Sequence, residues 1–352
     1  MTSLLPPELR RTIRQTRRGF TLIELLVSTA VFVVMVGLLF SVISQVASVW
    51  RSSSGKVEAF QGSRLAYDLM TRNLGQATLN TCLDYLDSGG NFLSSLTTAA
   101  DRSTFRPHRY VRRSDLHFVS GPAGGNLPGT PGTGSAVFFQ APAVHTEERD
   151  PGGNLEYSGL DDALNVCGYY IEFGSDTSFR PGFLPGTVPA RYRYRLMQLL
   201  VPLEKNEIFT TSTATDFSWF NDFTSSAQPV ADNIIALIVQ PQDPGDDSLF
   251  TTSYDYNSRA NATTDPQPIT AHQLPPVMRV TLVAIDEASA NRLASGSSEP
   301  TAIAGALAGK FTNPATFPND LKDLEEKLVA AKINYRIFSS AVPIRESKWS
   351  KK

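Results

Sequence analysis

Apolar and polar positions change rhythm twice along this 352-residue chain. The segment RRGFTLIELLVSTAVFVVMVGLLF, Arg17 to Phe40, holds one acid, Glu24, and from Leu25 to Trp50 no residue is charged. A bilayer core takes roughly 20 apolar residues in a helix, so this run predicts a membrane-spanning helix. A cleaved secretory signal would have a shorter apolar core followed by a small-residue cleavage site. Beyond it the rhythm becomes amphipathic: Phe60, Ser63, Tyr67, Met70, Leu74 and Ala77 recur at steps of three and four. Asp68 and Arg72 read as an i,i+4 pair on the exposed side. Ser52-Ser53-Ser54-Gly55 is a point where the helix can loosen. Unbroken from Phe20 to about Gln76, such a helix would be about 85 Å long.

After that the period shortens toward two. Leu116–Val119, Ala136–Phe139, Gly168–Phe173 and Arg191–Met197 read as strands, the last placing Tyr192, Tyr194 and Leu196 on one face. Ile234–Val239 is nearly all apolar and reads as a central strand, and Val277–Ile285 as another. Asp286–Leu293 and the stretch bearing Leu321, Leu324 and Leu328 read as helices, and Ile333–Phe338 as a last strand. Stretches rich in Gly, Pro, Ser and Thr separate them as long loops: 121–134, 174–189, 243–268 and 294–318.

Charge alters this picture at one place. The formal net charge is only −2, with no global basic field to attract nucleic acid, so no nucleic-acid partner is expected. Before Gly19, however, Arg10, Arg11, Arg14, Arg17 and Arg18 face the single acid Glu8. By the positive-inside rule this basic leader stays in the cytoplasm and the body lies outside. Two cysteines, Cys82 and Cys167, allow one disulfide in an oxidising compartment, or remain as two buried thiols.

No catalytic or cofactor motif is present: neither GxSxG, nor a P-loop, nor a GxGxxG opening a helix. His108, His117, His145 and His272 lack metal-ligand spacing. The run Arg106–Arg113, basic with interleaved aromatics, is of the kind that contacts DNA and is read here as solvated surface. Asp243, Asp246 and Asp247 cluster on a turn of the sort calcium favours, against a plain reading as a polar turn. No metal, cofactor or enzymatic activity is therefore expected.

Glu24 needs its own reason. An acid in a spanning helix costs on the order of 3 kcal/mol at the bilayer centre and less near the edge. It lies four residues, about one turn, after Phe20. A cut between Gly19 and Phe20 would create a cationic amine beside it. GFTLIELLVSTAVF resembles the N-terminus of type IV pilins and type II secretion pseudopilins, in which a glycine ends the leader, Phe follows, and a glutamate stands fifth in the mature chain. That resemblance implies cleavage after Gly19 by a prepilin peptidase and methylation of Phe20. It also implies pairing of Glu24 with the amine of a neighbouring subunit. The leader is longer than the short ones common in the family.

RLAYDLMTRNLGQA (Arg64 to Ala77), VADNIIALIVQPQD (Val230 to Asp243) and LPPVMRVTLVAID (Leu274 to Asp286) are similar to the J-type minor pseudopilins. In size the chain resembles large pilin-like proteins of Verrucomicrobia cassettes. The expected fold is α+β and pilin-like: a long N-terminal helix, membrane-spanning in its first half, packed on a C-terminal antiparallel β-sheet domain. The expected divisions are leader 1–19, transmembrane or filament-core helix 20–50, amphipathic continuation 51–79, and extracytoplasmic β-rich domain 80–352. The expected function is that of a minor pilin or pseudopilin at the tip of a secretion pseudopilus or pilus-like filament. Its partners would be prepilin peptidase, other pilins or pseudopilins and the inner membrane, which it crosses once with the body in the periplasm. Two alternatives are an uncleaved membrane-anchored extracellular binding protein or adhesin, and a tethered exoenzyme whose site is assembled from scattered loops.

Overall fold

A helix that is apolar all round has no polar face to give to water, whereas an amphipathic one has a single stripe to bury. The chain contains both in succession. A computed structural model describes residues 21–124, 127, 129–143, 145–155, 163–183, 187–211, 213–242, 250 and 253–347. The chain divides into two units at the Lys56–Val57 junction. The first is dominated by α1 (Leu22–Ala59), whose side chains from Thr21 to Val46 are exposed apart from the half-buried Val36. Its Leu22–Val46 stretch of 25 residues is long and apolar enough to cross a membrane. The expected loosening at Ser52–Gly55 is absent, since α1 continues through it. The interruption falls at Phe60, whose φ of −106° and ψ of 0° leave the helical region.

In the second unit, α2 (Gln61–Leu74) buries Ser63, Ala66, Tyr67, Met70 and Leu74, the stripe that the spacing predicts. Asp68 meets Arg64 at 3.9 Å, one turn earlier, in place of the expected Arg72. The elements that follow are β1 (Cys82–Leu86), α3 (Ala99–Thr104), β2 (Arg109–Arg113), β3 (Val119–Pro122), β4 (Thr133–Pro142) and β5 (Leu164–Ser175). Then come β6 (Tyr192–Val201), β7 (Ala227–Asp232), β8 (Ile234–Pro241), β9 (Tyr256–Asn257) and β10 (Val277–Ile285). Helices α4 (Glu287–Leu293), α5 (Thr301–Leu307) and α6 (Phe317–Ala330) precede the last strand, β11 (Tyr335–Pro343). All named pairings are antiparallel. They form a six-stranded sheet β7-β6-β5-β4-β3-β9, a three-stranded sheet β11-β10-β8 and a two-stranded ribbon β1-β2. The architecture is α+β and pilin-like: a long apolar N-terminal helix, then an antiparallel β domain on which the amphipathic continuation packs.

Packing of α2 is specific. The Tyr67 hydroxyl donates to the Val280 carbonyl (3.0 Å) and lies 2.7 Å from Ser340 Oγ, tying the helix to β10 and β11. Asn73 Nδ2 donates to the Tyr169 hydroxyl on β5 at 2.8 Å. The helix therefore contacts both larger sheets along its buried stripe. The chain passes from one sheet to the other at Asn233, between β7 and β8, with φ of 62°. Asparagine tolerates this left-handed conformation better than most residues. Its N–H donates to the Tyr194 carbonyl at 2.7 Å, and its carbonyl accepts from Ile285 N at 3.0 Å, so both sheets hold the corner.

Strand β8 is buried at all eight positions, yet it is an edge of its sheet and β10 is the centre. Its uniform apolarity comes from cover on both faces, with β4 of the other sheet lying against it. The predicted strand at Leu116–Val119 enters a ladder only at Val119. Before it, side chains satisfy the backbone: His117 N donates to Gln140 Oε1 (3.0 Å) and Phe118 N to Ser258 Oγ (2.9 Å). The predicted loop 294–318 contains α5.

On the outer face of the six-stranded sheet, the Phe138 ring stacks on Phe220 with centroids 4.0 Å apart and planes at 3°. Its cross-strand neighbour is Gly168, where an added Cβ would lie 2.2 Å from Phe138 Cδ1. The ring occupies the space a side chain would need. Gly168→Ala is expected to destabilise the body by about 1–3 kcal/mol through overpacking. Gly62→Ala, on the exposed side of α2 with nothing within 4 Å, is expected to stabilise it by about 0.4–1 kcal/mol. Denaturant unfolding followed by near-UV circular dichroism measures both.

Candidate functional site

The candidate site that the sequence singles out lies at the first turn of α1. Thr21 precedes the helix and Glu24 lies in its first turn. Glu24 N donates to Thr21 Oγ1 at 3.3 Å, while Thr21 N and Oγ1 each approach Glu24 Oε2 at 3.4 Å. This reciprocal arrangement is a capping box, which meets two of the N–H groups that every helix start leaves without partners. Thr21 was not singled out from the sequence, although the Thr-x-x-Glu spacing ahead of an apolar run carries that signal. Three other polar side chains of this stretch bond back to their own helix: Ser28, Thr29 and Ser44 each donate to the carbonyl three residues earlier, at 2.9–3.0 Å. A hydroxyl bonded to its own helix can enter hydrocarbon at little cost. Glu24 is then the only charge between Phe20 and Trp50. Gly19 and Phe20 themselves lie outside the described residues.

The remaining expected sites separate. Cys82, exposed on β1, and Cys167, buried on β5, are both free thiols, so the bridge the sequence allows is not formed. Burial pushes the Cys167 thiol up to about 12. Asp243, Asp246 and Asp247 lie outside the described residues. Among the described residues no group of three or more His, Cys, Asp or Glu could hold a metal ion.

The basic run Arg106–Arg113 is solvated surface only in part: Arg106, Pro107, His108 and Tyr110 are exposed as expected, whereas Arg109, Arg112 and Arg113 are drawn into the body. Arg109 donates to the Thr264 and Thr263 carbonyls, both at 2.6 Å, and Arg112 to those of Ala271 (3.1 Å) and Pro268 (2.6 Å). Arg113 bridges Asp84 (3.2 Å) and Asp115 (3.0 Å). These guanidiniums staple loops to the ribbon and leave little free charge for a phosphate backbone.

Residues 14–40 match the family described as the prokaryotic N-terminal methylation motif. The match takes in the end of the arginine-rich N-terminal segment, the Gly19–Phe20 bond, Glu24 and the first half of α1. No curated protein and no solved structure matches the chain.

Two of the four histidines, remote in sequence, come near each other around Arg259. His117 Nε2 lies 2.8 Å from Asn257 Oδ1, and the Nδ1 atoms of His117 and His272 have no hydrogen-bond partner among the described residues. Burial, reinforced by the charge of Arg259, lowers His117 to about 3 and His272 to about 4, from 6.5. Both rings are neutral in the folded state at neutral pH, whereas the unfolded chain binds protons below about 6.5. Their contribution to stability is therefore complete above pH 6.5 and is lost as pH falls toward 4. The unfolding midpoint of the body is expected to drop steadily between pH 6.5 and 4.5, and His117→Gln to flatten that slope; denaturant titrations across this range measure both.

Proposed function

We propose that this chain is a pilin-like structural subunit, a minor pilin or minor pseudopilin. It is made with leader 1–19, cut between Gly19 and Phe20 by a prepilin peptidase, and methylated on the amine of Phe20. The observation that carries this reading is a coincidence of position. The methylation-motif match over residues 14–40 runs into the exposed first part of α1, in which the one charge is an acid in the first turn.

Physics supports the same sequence of events. The Leu22–Val46 stretch is about 37 Å long as a helix, more than the hydrocarbon thickness of about 30 Å. The arginine flank keeps the N-terminus in the cytoplasm and sends the body to the periplasm, giving a single-pass inner-membrane protein. Glu24 then faces a low-dielectric surrounding in which an opposite charge is strongly favoured. Cleavage supplies that charge as the amine of Phe20, from the same chain or from a neighbour. In a filament of a type II secretion pseudopilus or a type IV pilus, the apolar helices form the shared core and this pairing sets their axial register. A body of two sheets and several helices is bulky to repeat along a shaft, which favours the tip.

Intact-mass and N-terminal analysis of protein extracted from membranes of a host with an active peptidase is expected to give a chain starting at Phe20 with one methyl group. Glu24→Ala is expected to be processed normally but to fail to enter filaments, read as loss of co-purification with other pilins. An intact Gly19–Phe20 bond in that host, with Glu24→Ala behaving as wild type, would favour the tethered binding protein instead.

A further inference from the structure

On the outer face of the six-stranded sheet, a cleft of about 450 Å³ opens where β5, β6 and the start of β7 meet the segments carrying Phe179 and Phe223. Glu172, on β5, lines it and is half-buried. It makes no hydrogen bond and no ion pair with any described residue. Its cross-strand neighbour is Arg195, which is 4% exposed. That guanidinium is already engaged: Nε donates to Asp232 Oδ1 at 2.9 Å, Nη1 to the Gly174 carbonyl at 2.7 Å and Nη2 to the Arg191 carbonyl at 3.2 Å. Asp176 and Arg180, just beyond, also form a pair, at 2.8 Å. Those cations each have a carboxylate of their own, and the cleft holds one carboxylate with no hydrogen-bonded or ion-paired partner among the described residues, beside Met197, Phe179 and Phe223.

We propose that this cleft binds a primary ammonium group carried on an apolar stem, the chemistry of a lysine side chain or a free alkylamine. The carboxylate supplies the counter-charge. The thioether of Met197 and the two aromatic rings supply an apolar wall for the stem, and the ring faces attract the cation. The Ser178 hydroxyl and the Gln228 amide, both on the cleft wall, provide acceptors for the remaining N–H groups. Anions are disfavoured because Asp232 neutralises Arg195 and Glu172 repels them. A divalent ion would find one carboxylate where it needs several oxygens. Burial raises the proton affinity of Glu172, partly offset by Arg195; an incoming ammonium adds a second opposite charge that offsets the same cost. The inference stands on the body alone and holds whether or not α1 assembles into a filament.

The test uses the full chain in detergent, titrated by calorimetry with n-butylammonium chloride and, in a second arm, with the peptide Gly-Lys-Gly. Saturable binding in either arm supports the proposal, and the tighter arm identifies the source of the ammonium. Glu172→Gln, nearly isosteric at a half-buried position, is expected to weaken binding about tenfold or more with the unfolding midpoint unchanged. Phe179→Ala, on the surface-exposed rim, is expected to weaken it several-fold and serves if the first variant misfolds. The proposal is overturned if neither ammonium probe saturates, if n-butanol or butyrate binds as tightly, or if Glu172→Gln binds like wild type.

Discussion

One helical stretch of sequence must serve two surroundings that ask for opposite surface patterns, and the rest of the molecule follows from how that conflict is resolved. Hydrocarbon accepts apolar side chains on every side of α1, whereas the β domain accepts only a stripe. The change is made at Phe60, a single residue out of helical conformation, across which Arg64 N still bonds the Phe60 carbonyl at 3.0 Å. From there Met70 and Leu74 are completely buried, and Tyr67 joins α2 to both β10 and β11. Removing that stripe would take from both larger sheets a helix that each of them packs against.

Inside the β domain, charge is used as a structural adhesive. Arg112 and Arg259 are nearly inaccessible, and each donates to backbone carbonyls outside regular ladders. Long connections place many carbonyls where no strand can satisfy them, and an unpaired buried carbonyl is costly. A guanidinium, with five donors in a fixed plane, can serve two or three at once. This explains how a domain so rich in loops retains a continuous core.

Much of the architecture was legible in the sequence. The stripe from Phe60 to Ala77, the strand Val277–Ile285 and the helix around Leu324 are set by local periodicity, which survives in any tertiary setting. The ribbon β1-β2 and strand β7 were not, because CLDYL, RYVRR and AQPVAD carry little alternation and exist through their partners. Misplacing β8 as central had a related cause: apolarity reports cover and cannot distinguish ladder neighbours from a crossing sheet. The later arginines of the basic run misled for the opposite reason, since a sequence shows charge but not the carbonyls folded against it. At the candidate site, Glu24 stood out because nothing else near it is charged. Glu172 stayed hidden, because only the fold reveals that its neighbouring cation is engaged elsewhere.

The disposition of the two thiols has a practical corollary. Cys167 is sealed within β5, its ionisation suppressed by burial, while Cys82 stands open on the ribbon. A maleimide fluorophore or spin label applied to the native chain would thus attach at one position, with no prior engineering. That position lies on the β domain, away from the apolar helix in sequence. A reporter there could follow the fate of single molecules in living cells while leaving the hydrophobic segment chemically untouched.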